Sequence, residues 1–148
     1  MRIYLDNCAF NRLFDDRSQE RVRFEADAVS NLLQKIQEGL IDLVWSSVID
    51  FENSKSPNQD QRDWVFGWRD RSIIEIEATE KVHENLKSLV EYGLKSKDAL
   101  HVASAIVGDA NYFVTTDGGI LKKRTRISSI KILSPVELLD IIENDDEH

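Results

Sequence analysis

Hydrophobic positions fall into two kinds of segment that take turns along the chain. Short apolar runs stand at residues 3–5, 41–45, 73–76, 112–114 and 130–133, three of them with one charged residue inside, Asp42, Glu75 and Lys131. They are rich in the β-branched and aromatic side chains that a pleated surface accommodates, so each predicts a buried strand. Between the runs, apolar residues recur at helical spacing: Val22, Ala26, Val29, Leu33 and Ile36; then Val82, Leu86, Leu89 and Val90; then Ala99, Val102, Ala103 and Ile106. Strand and helix in alternation predict an α/β domain on a parallel sheet, here of five strands.

Polar residues punctuate these segments. Gly39 and Gly93 stand where left-handed caps would close the first two helices. Thr79 and Ser96 are placed to cap the second and third at their N-termini, with Asp98 in the first turn after Ser96. That helix stops before Gly108 and a polar turn at 109–111. Ser134, Pro135 and Glu137 make a capping box with proline at the first helical position, starting a last helix through Leu138, Leu139 and Ile142. Residues 52–71, with Pro57, Asn58 and Trp64, Val65, Phe66 and Trp68 at mixed spacing, read as short helices. With no repeat, low-complexity block or linker, residues 1–148 read as one domain, with an acidic tail fraying from about residue 143.

A chain of 148 residues with 41% hydrophobic positions can bury one core. Its net charge of −8 argues against a general polyanion binder, but six acids and no Lys or Arg fill the last twelve residues. Without that tail the net charge is −2. The single cysteine, Cys8, excludes an intrachain disulfide and makes a reducing cytoplasm the simplest home. No apolar run is long enough for a secretory signal or a membrane span.

In an open parallel sheet, chemistry collects beyond the carboxyl ends of the strands. Asp6 directly follows the first run and Asp117 follows the fourth; Asp98 and Glu52 can reach the same edge from helices. Four carboxylates gathered there would repel one another unless something compensates them. An all-oxygen donor set favours hard Mg²⁺ or Mn²⁺ over zinc, and two such ions clamp the attacking and leaving oxygens when water displaces a phosphodiester oxygen in line. Each acid also has a plainer role: Asp98 complements a helix dipole, Asp117 caps a turn, and Glu52 lies on a helix surface. Asp6 resists such a reading, because a charge at the end of a buried strand needs a partner or water.

These residues resemble the PIN domain family of metal-dependent ribonucleases, which includes the VapC-type toxins of bacterial toxin–antitoxin pairs. The likeness runs from Ile3-Tyr4-Leu5-Asp6, through Trp45-Ser46-Ser47-Val48-Ile49 to Glu52, to Lys97-Asp98-Ala99-Leu100-His101-Val102-Ala103. It continues in Tyr112-Phe113-Val114-Thr115-Thr116-Asp117 and the closing strand and helix from Ile130 to Leu139. The resemblance implies a five-stranded parallel sheet of order 3-2-1-4-5 with helices on both faces. Asp6, Glu52, Asp98 and Asp117 would be the metal-binding and catalytic acids, holding one or two Mg²⁺ or Mn²⁺ ions, with Thr115 or Thr116 supporting them; Asn7 and Asn11 themselves suit either positioning of substrate or water beside the acids or capping of the turn after the first strand. It further implies an RNA substrate, a cognate antitoxin and a homodimer. Asn7 stands where many relatives have Thr or Ser, and Gly118 and Gly119 replace bulkier residues.

With the tail and the four acids set aside, the remaining charge is +2, which leaves RNA binding open. Lys122, Lys123, Arg124 and Arg126, with Lys131, form the concentrated basic stretch and are candidate phosphate contacts, or else a solvated loop. Arg69 and Arg71 beside Trp64 and Trp68 suit either base stacking or an interface. His101 shares a helical face with Asp98, as a ligand or as a buried hydrogen-bonded side chain; Cys8 reads as a small hydrophobe. A receiver-like phosphoacceptor is the competing enzyme class, and it fits poorly, because Glu77-Ala78 and Ser134-Pro135 stand where its acceptor aspartate and lysine would be. A catalytically silent module of the same fold that binds RNA or protein is the non-enzymatic alternative.

Overall fold

In the computed structural model, which describes residues 1–146, the five apolar runs become β1 (Arg2–Leu5), β2 (Asp42–Ser46), β3 (Ser72–Ile76), β4 (Tyr112–Val114) and β5 (Lys131–Leu133). All neighbours pair in parallel, in the order β3-β2-β1-β4-β5. The order is the one the PIN resemblance implies. Tyr4 lies opposite both Val44 and Phe113, and Phe113 opposite Ile132, so these four stand in one row on one face. Central β1 is buried from Ile3 through Leu5. β3 departs from the expectation of a buried strand: Ile73, Ile74 and Glu75 are exposed and only Ile76 is buried. It is the sheet's edge, with a register shift against β2 at Leu43 and Val44 and no strand beyond it.

Among the described residues, seven α-helices link the strands and an eighth follows β5: α1 (Asn7–Asn11), α2 (Glu20–Gln37), α3 (Ser47–Asn53), α4 (Gln59–Gly67), α5 (Glu80–Glu91), α6 (Ser96–Val107), α7 (Gly118–Lys123) and α8 (Pro135–Asp146). α2 packs against α8, and α5 against α6. The short helices expected in residues 52–71 are the end of α3, α4 and a 3-10 turn at Trp68–Arg71. α1 and α7 are too short for a periodic signal to predict them. Among the described residues, no helix is long and apolar enough to cross a membrane.

The helix ends follow local chemistry with one correction. Gly39, at φ +78°, closes α2 with paired bonds from its own N–H to Ile36 and from the Leu40 N–H to Lys35. Ser134 and Glu137 bond each other's backbone N–H at 3.0 and 3.2 Å, the reciprocal pair of a capping box. Ser96, expected as a cap, is instead the first helical residue of α6; Lys95 is the extended cap, and its carbonyl accepts the Ala99 N–H at 2.8 Å. α8 carries on through Glu143 to Asp146, so that much of the expected frayed tail is helical, while Glu147 and His148 lie outside the described residues.

Gly108 ends α6 for a different reason from Gly39. Its φ is ordinary, and the left-handed residue is the next one, Asp109, at φ +55°. A Cβ on Gly108 would sit 2.6 Å from Val44 Cγ1, so the glycine lets α6 lie against β2. Gly108→Ala should therefore destabilise the fold by about 1–3 kcal/mol through overpacking. Gly39→Ala, which has nothing within 4 Å, should cost about 1 kcal/mol through its φ alone. Urea unfolding midpoints of the two variants check the difference.

Candidate active site

The strands all end at one edge, and the chain there supplies acids from four places. Asp6 directly follows β1 and caps α1, with its Oδ1 accepting the Ala9 N–H at 3.0 Å. Thr115, just past β4, donates its hydroxyl to Asp6 Oδ2 at 2.6 Å and accepts the Asp117 N–H at 3.0 Å. Asp117 caps α7 through the Gly119 N–H at 2.8 Å. Asp98 comes from the first turn of α6, and Glu52 from α3. One threonine thus couples two of the four acids.

The electrostatics divide the acids into two kinds. Asp6 is buried, and burial pushes its carboxyl up to about 6 against the opposing pull of His101, Thr115 and the Ala9 N–H. Asp98 is also raised, first by burial and then by the negative charge of Asp117. Glu52 behaves in the opposite way. Burial works to raise it, but the hydrogen bond and charge of His101, followed by those of Lys97, hold its carboxyl below the ordinary value.

Glu52 is bound through both oxygens: Oε1 pairs with Lys97 Nζ at 3.1 Å, and Oε2 meets His101 Nε2 at 2.5 Å. The other imidazole nitrogen, Nδ1, lies 2.7 Å from the Tyr4 hydroxyl, which lies 2.7 Å from Ser46 Oγ. Ser46 Oγ also accepts the Ile49 N–H. An ionised carboxylate only accepts, so Nε2 carries the proton that faces Glu52. Each group in the buried chain from Ser46 through Tyr4 and His101 to Glu52 thus has a hydrogen-bond partner. Burial, first among several causes, raises the Tyr4 phenol well above its usual value and keeps it protonated. His101 is the buried hydrogen-bonded histidine of the two sequence alternatives.

The remaining candidates are more dispersed. Asn7 is buried and donates to the Ile49 carbonyl at 3.1 Å, while its Oδ1 has no hydrogen-bond partner. Asn11 accepts from Gln61 at 3.4 Å. Thr116 offers its carbonyl to Arg21 at 3.3 Å, and Arg21 also pairs with buried Glu25. Of the basic stretch, Lys123 bonds the Gly93 carbonyl, Arg126 the Tyr92 carbonyl, and Arg124 pairs with Glu137 at 2.7 Å. Lys122 is exposed. Arg69 is held by Glu75 through two bonds, and Trp64 meets Phe14 and Trp68 edge-on. Although Cys8 as a residue is exposed, its thiol is crowded by surrounding atoms, and that partial burial, followed by the charges of Asp6, Glu52 and Asp117, pushes it up to about 12. Such a thiol is a poor nucleophile.

Sequence reasoning missed Tyr4, Ser46 and Arg21. Tyr4 reads as one more core residue of β1, and its partner is ninety-seven positions away. Nothing local could reveal that pairing.

The donor set suits a hard divalent cation by its chemistry: oxygens only, two of them on carboxyls raised by burial. As they stand, however, no three Asp, Glu, His or Cys side chains among the described residues are gathered to hold an ion. The reason is local, because the oxygens of Asp6, Asp117 and Glu52 are turned toward their caps and partners.

No family model matches the sequence, and no curated protein does. A solved structure does match in three dimensions, a chain in the crystal structure of VapBC2 from Rickettsia felis bound to a DNA fragment from their promoter. The TM-score is 0.56 at 18% identity, over 90% of this chain and 98% of that one. The fold is PIN-like.

The raised carboxyl of Asp6 carries a stability consequence with a definite sign. A carboxyl raised by folding from 3.8 to about 6 makes a contribution that is complete below pH 4 and is lost as pH rises through 6. That loss is about 3 kcal/mol at most, and Asp6→Asn forgoes about 1 kcal/mol of it with the Thr115 bond. In EDTA, Asp6→Asn should stabilise the chain at pH 7 by about 1–2 kcal/mol, with the gain vanishing toward pH 4. Chemical denaturation across that range measures it.

Proposed function

We propose that the chain is a metal-dependent endoribonuclease that hydrolyses RNA phosphodiester bonds, and that it is the toxin of a toxin–antitoxin pair. The observation that carries this reading is that Asp6, Glu52, Asp98 and Asp117 come from four elements to the carboxyl edge of a PIN-like sheet, with Asp6 and Asp117 linked through Thr115. These acids would hold one or two Mg²⁺ or Mn²⁺ ions. Such an ion supplies neutralisation of the charge that builds on the phosphodiester and acidifies the attacking water.

The chain's own residues would do the rest. Thr115 keeps Asp6 and Asp117 in a fixed relation, because one hydroxyl bonds the side chain of the first and the backbone of the second. Asp98, raised by burial and by Asp117, is a carboxyl that gains most from a nearby cation. Lys122 is the member of the basic stretch whose ammonium suits a phosphate contact, since Lys123, Arg124 and Arg126 also serve the fold. The VapBC2 neighbour is a complex of two proteins bound to DNA, and by analogy this chain would pair with an antitoxin, while the homodimer follows from the family resemblance alone.

Cleavage of an end-labelled RNA pool in Mn²⁺ tests the reading. We expect cutting that EDTA stops and that Asp98→Asn reduces by about a hundredfold or more, the upper end of what disturbing a metal's surroundings costs. Calorimetric Mn²⁺ binding should weaken as pH falls below about 6, because Asp6 must give up its proton to bind. An Asp6→Asn, Asp98→Asn chain that still cuts would overturn the assignment, and Mn²⁺ binding without cutting would favour the silent RNA- or protein-binding module.

A further inference from the structure

The buried chain Ser46–Tyr4–His101–Glu52 does not end at Glu52. Its last member is Lys97, whose side chain is 61% exposed while its ammonium stays 3.1 Å from Glu52 Oε1. Lys97 precedes Asp98 in the first turn of α6, and its positive charge acts on both Asp98 and Glu52. A cation in a helix's first turn opposes the helix dipole, so α6 gains nothing from it there. The position makes sense through what the ammonium faces.

We propose that Lys97 is a substrate-contact residue that takes a non-bridging oxygen of an RNA phosphate, and that Glu52 serves to position it. This inference rests on the nuclease reading for its substrate class and goes beyond it in the residue and its role. An ammonium carries three N–H groups, and Glu52 occupies one. The others are free to meet a phosphate arriving at the acids. A lysine in water spreads over many rotamers, and holding one costs entropy. Here that cost is met at folding, because Glu52 is fixed from the core by His101, and His101 by Tyr4. The local charge also fits, since Lys97 offsets one of four acids that would otherwise repel the polyanion.

The test uses fluorescence anisotropy with a labelled single-stranded RNA pool in Mn²⁺, in the Asp98→Asn background so that the RNA stays whole. Lys97→Met should weaken binding about three- to tenfold and make the logarithmic salt dependence shallower by about 0.7, the share of one single-strand phosphate contact. Lys97→Arg should restore most of both. Lys87→Met on the exposed side of α5 removes the same formal charge and should change neither. In the Asp98-intact chain, Lys97→Met should raise the apparent KM for cleavage more than it lowers kcat. Unchanged affinity and salt slope in Lys97→Met would overturn the inference even if the parent cuts RNA. A parent that binds RNA through Lys97 without cutting it would leave the inference standing and remove the nuclease reading, whereas no RNA binding at all removes both.

Discussion

A buried carboxylate must be given partners, and the carboxyl edge of this sheet is arranged around that need at Asp6. The residue follows the central strand directly and is buried there, so its charge is taken out of water. Its two oxygens are met from different directions, one by the first turn of α1 and the other by Thr115 beyond β4. Because the Asp6 N–H also bonds the Val114 carbonyl, the same residue closes the β1–β4 ladder. Moving Asp6 would disturb a strand pair, a helix cap and the path of the chain to Asp117 together. The backbone geometry of the site is for this reason part of the fold and not an addition to it.

Three of the four acids are handled in two physically different ways. Glu52 is neutralised by fixed partners, an imidazole from inside and an ammonium from outside, and its carboxyl is held low. Asp6 and Asp98 are left with carboxyls raised first by burial, to which the charge of Asp117 adds at Asp98. Pairs of groups whose surroundings push them apart in this way mark sites where chemistry is done. A cation would find its largest gain at the aspartates and its smallest at Glu52, where two partners must first be displaced or shared.

Most of the fold was legible in the sequence because it rests on local signals. The short apolar runs, Gly39 and the Ser134–Glu137 box each act within a few residues, and the strands that the runs imply lie within one residue of those observed. What could not be read depends on distant partners. Gly108 looks like a helix stop, yet its absent side chain answers to Val44, sixty-four positions earlier. The exposure of Ile73 and Ile74 follows from β3 being the last strand, which the run itself does not encode. The acids were visible as strand-end residues, but the difference between Glu52 and the aspartates comes from Tyr4, His101 and Lys97, which meet only in the folded chain.

The overall negative charge and a polyanionic substrate are compatible once the charges are located. Much of the excess lies in the last twelve residues, from Glu137 onward. The basic stretch after Asp117 looks like a ready electrostatic footprint, but three of its members are bound to carbonyls or to Glu137 and tie α7 and the following turn to α5 and α8. Attraction for phosphate has to be generated close to the acids instead. Two sources are physically suited to it: a divalent cation among the aspartates, and ammonium or guanidinium groups anchored beside them, Lys97 on Glu52 and Arg21 on Glu25. Anchored cations act at short range, where screening by salt is weakest, and they present their charge in a fixed direction. A chain can therefore be acidic as a whole and still receive a phosphodiester at one edge of its sheet.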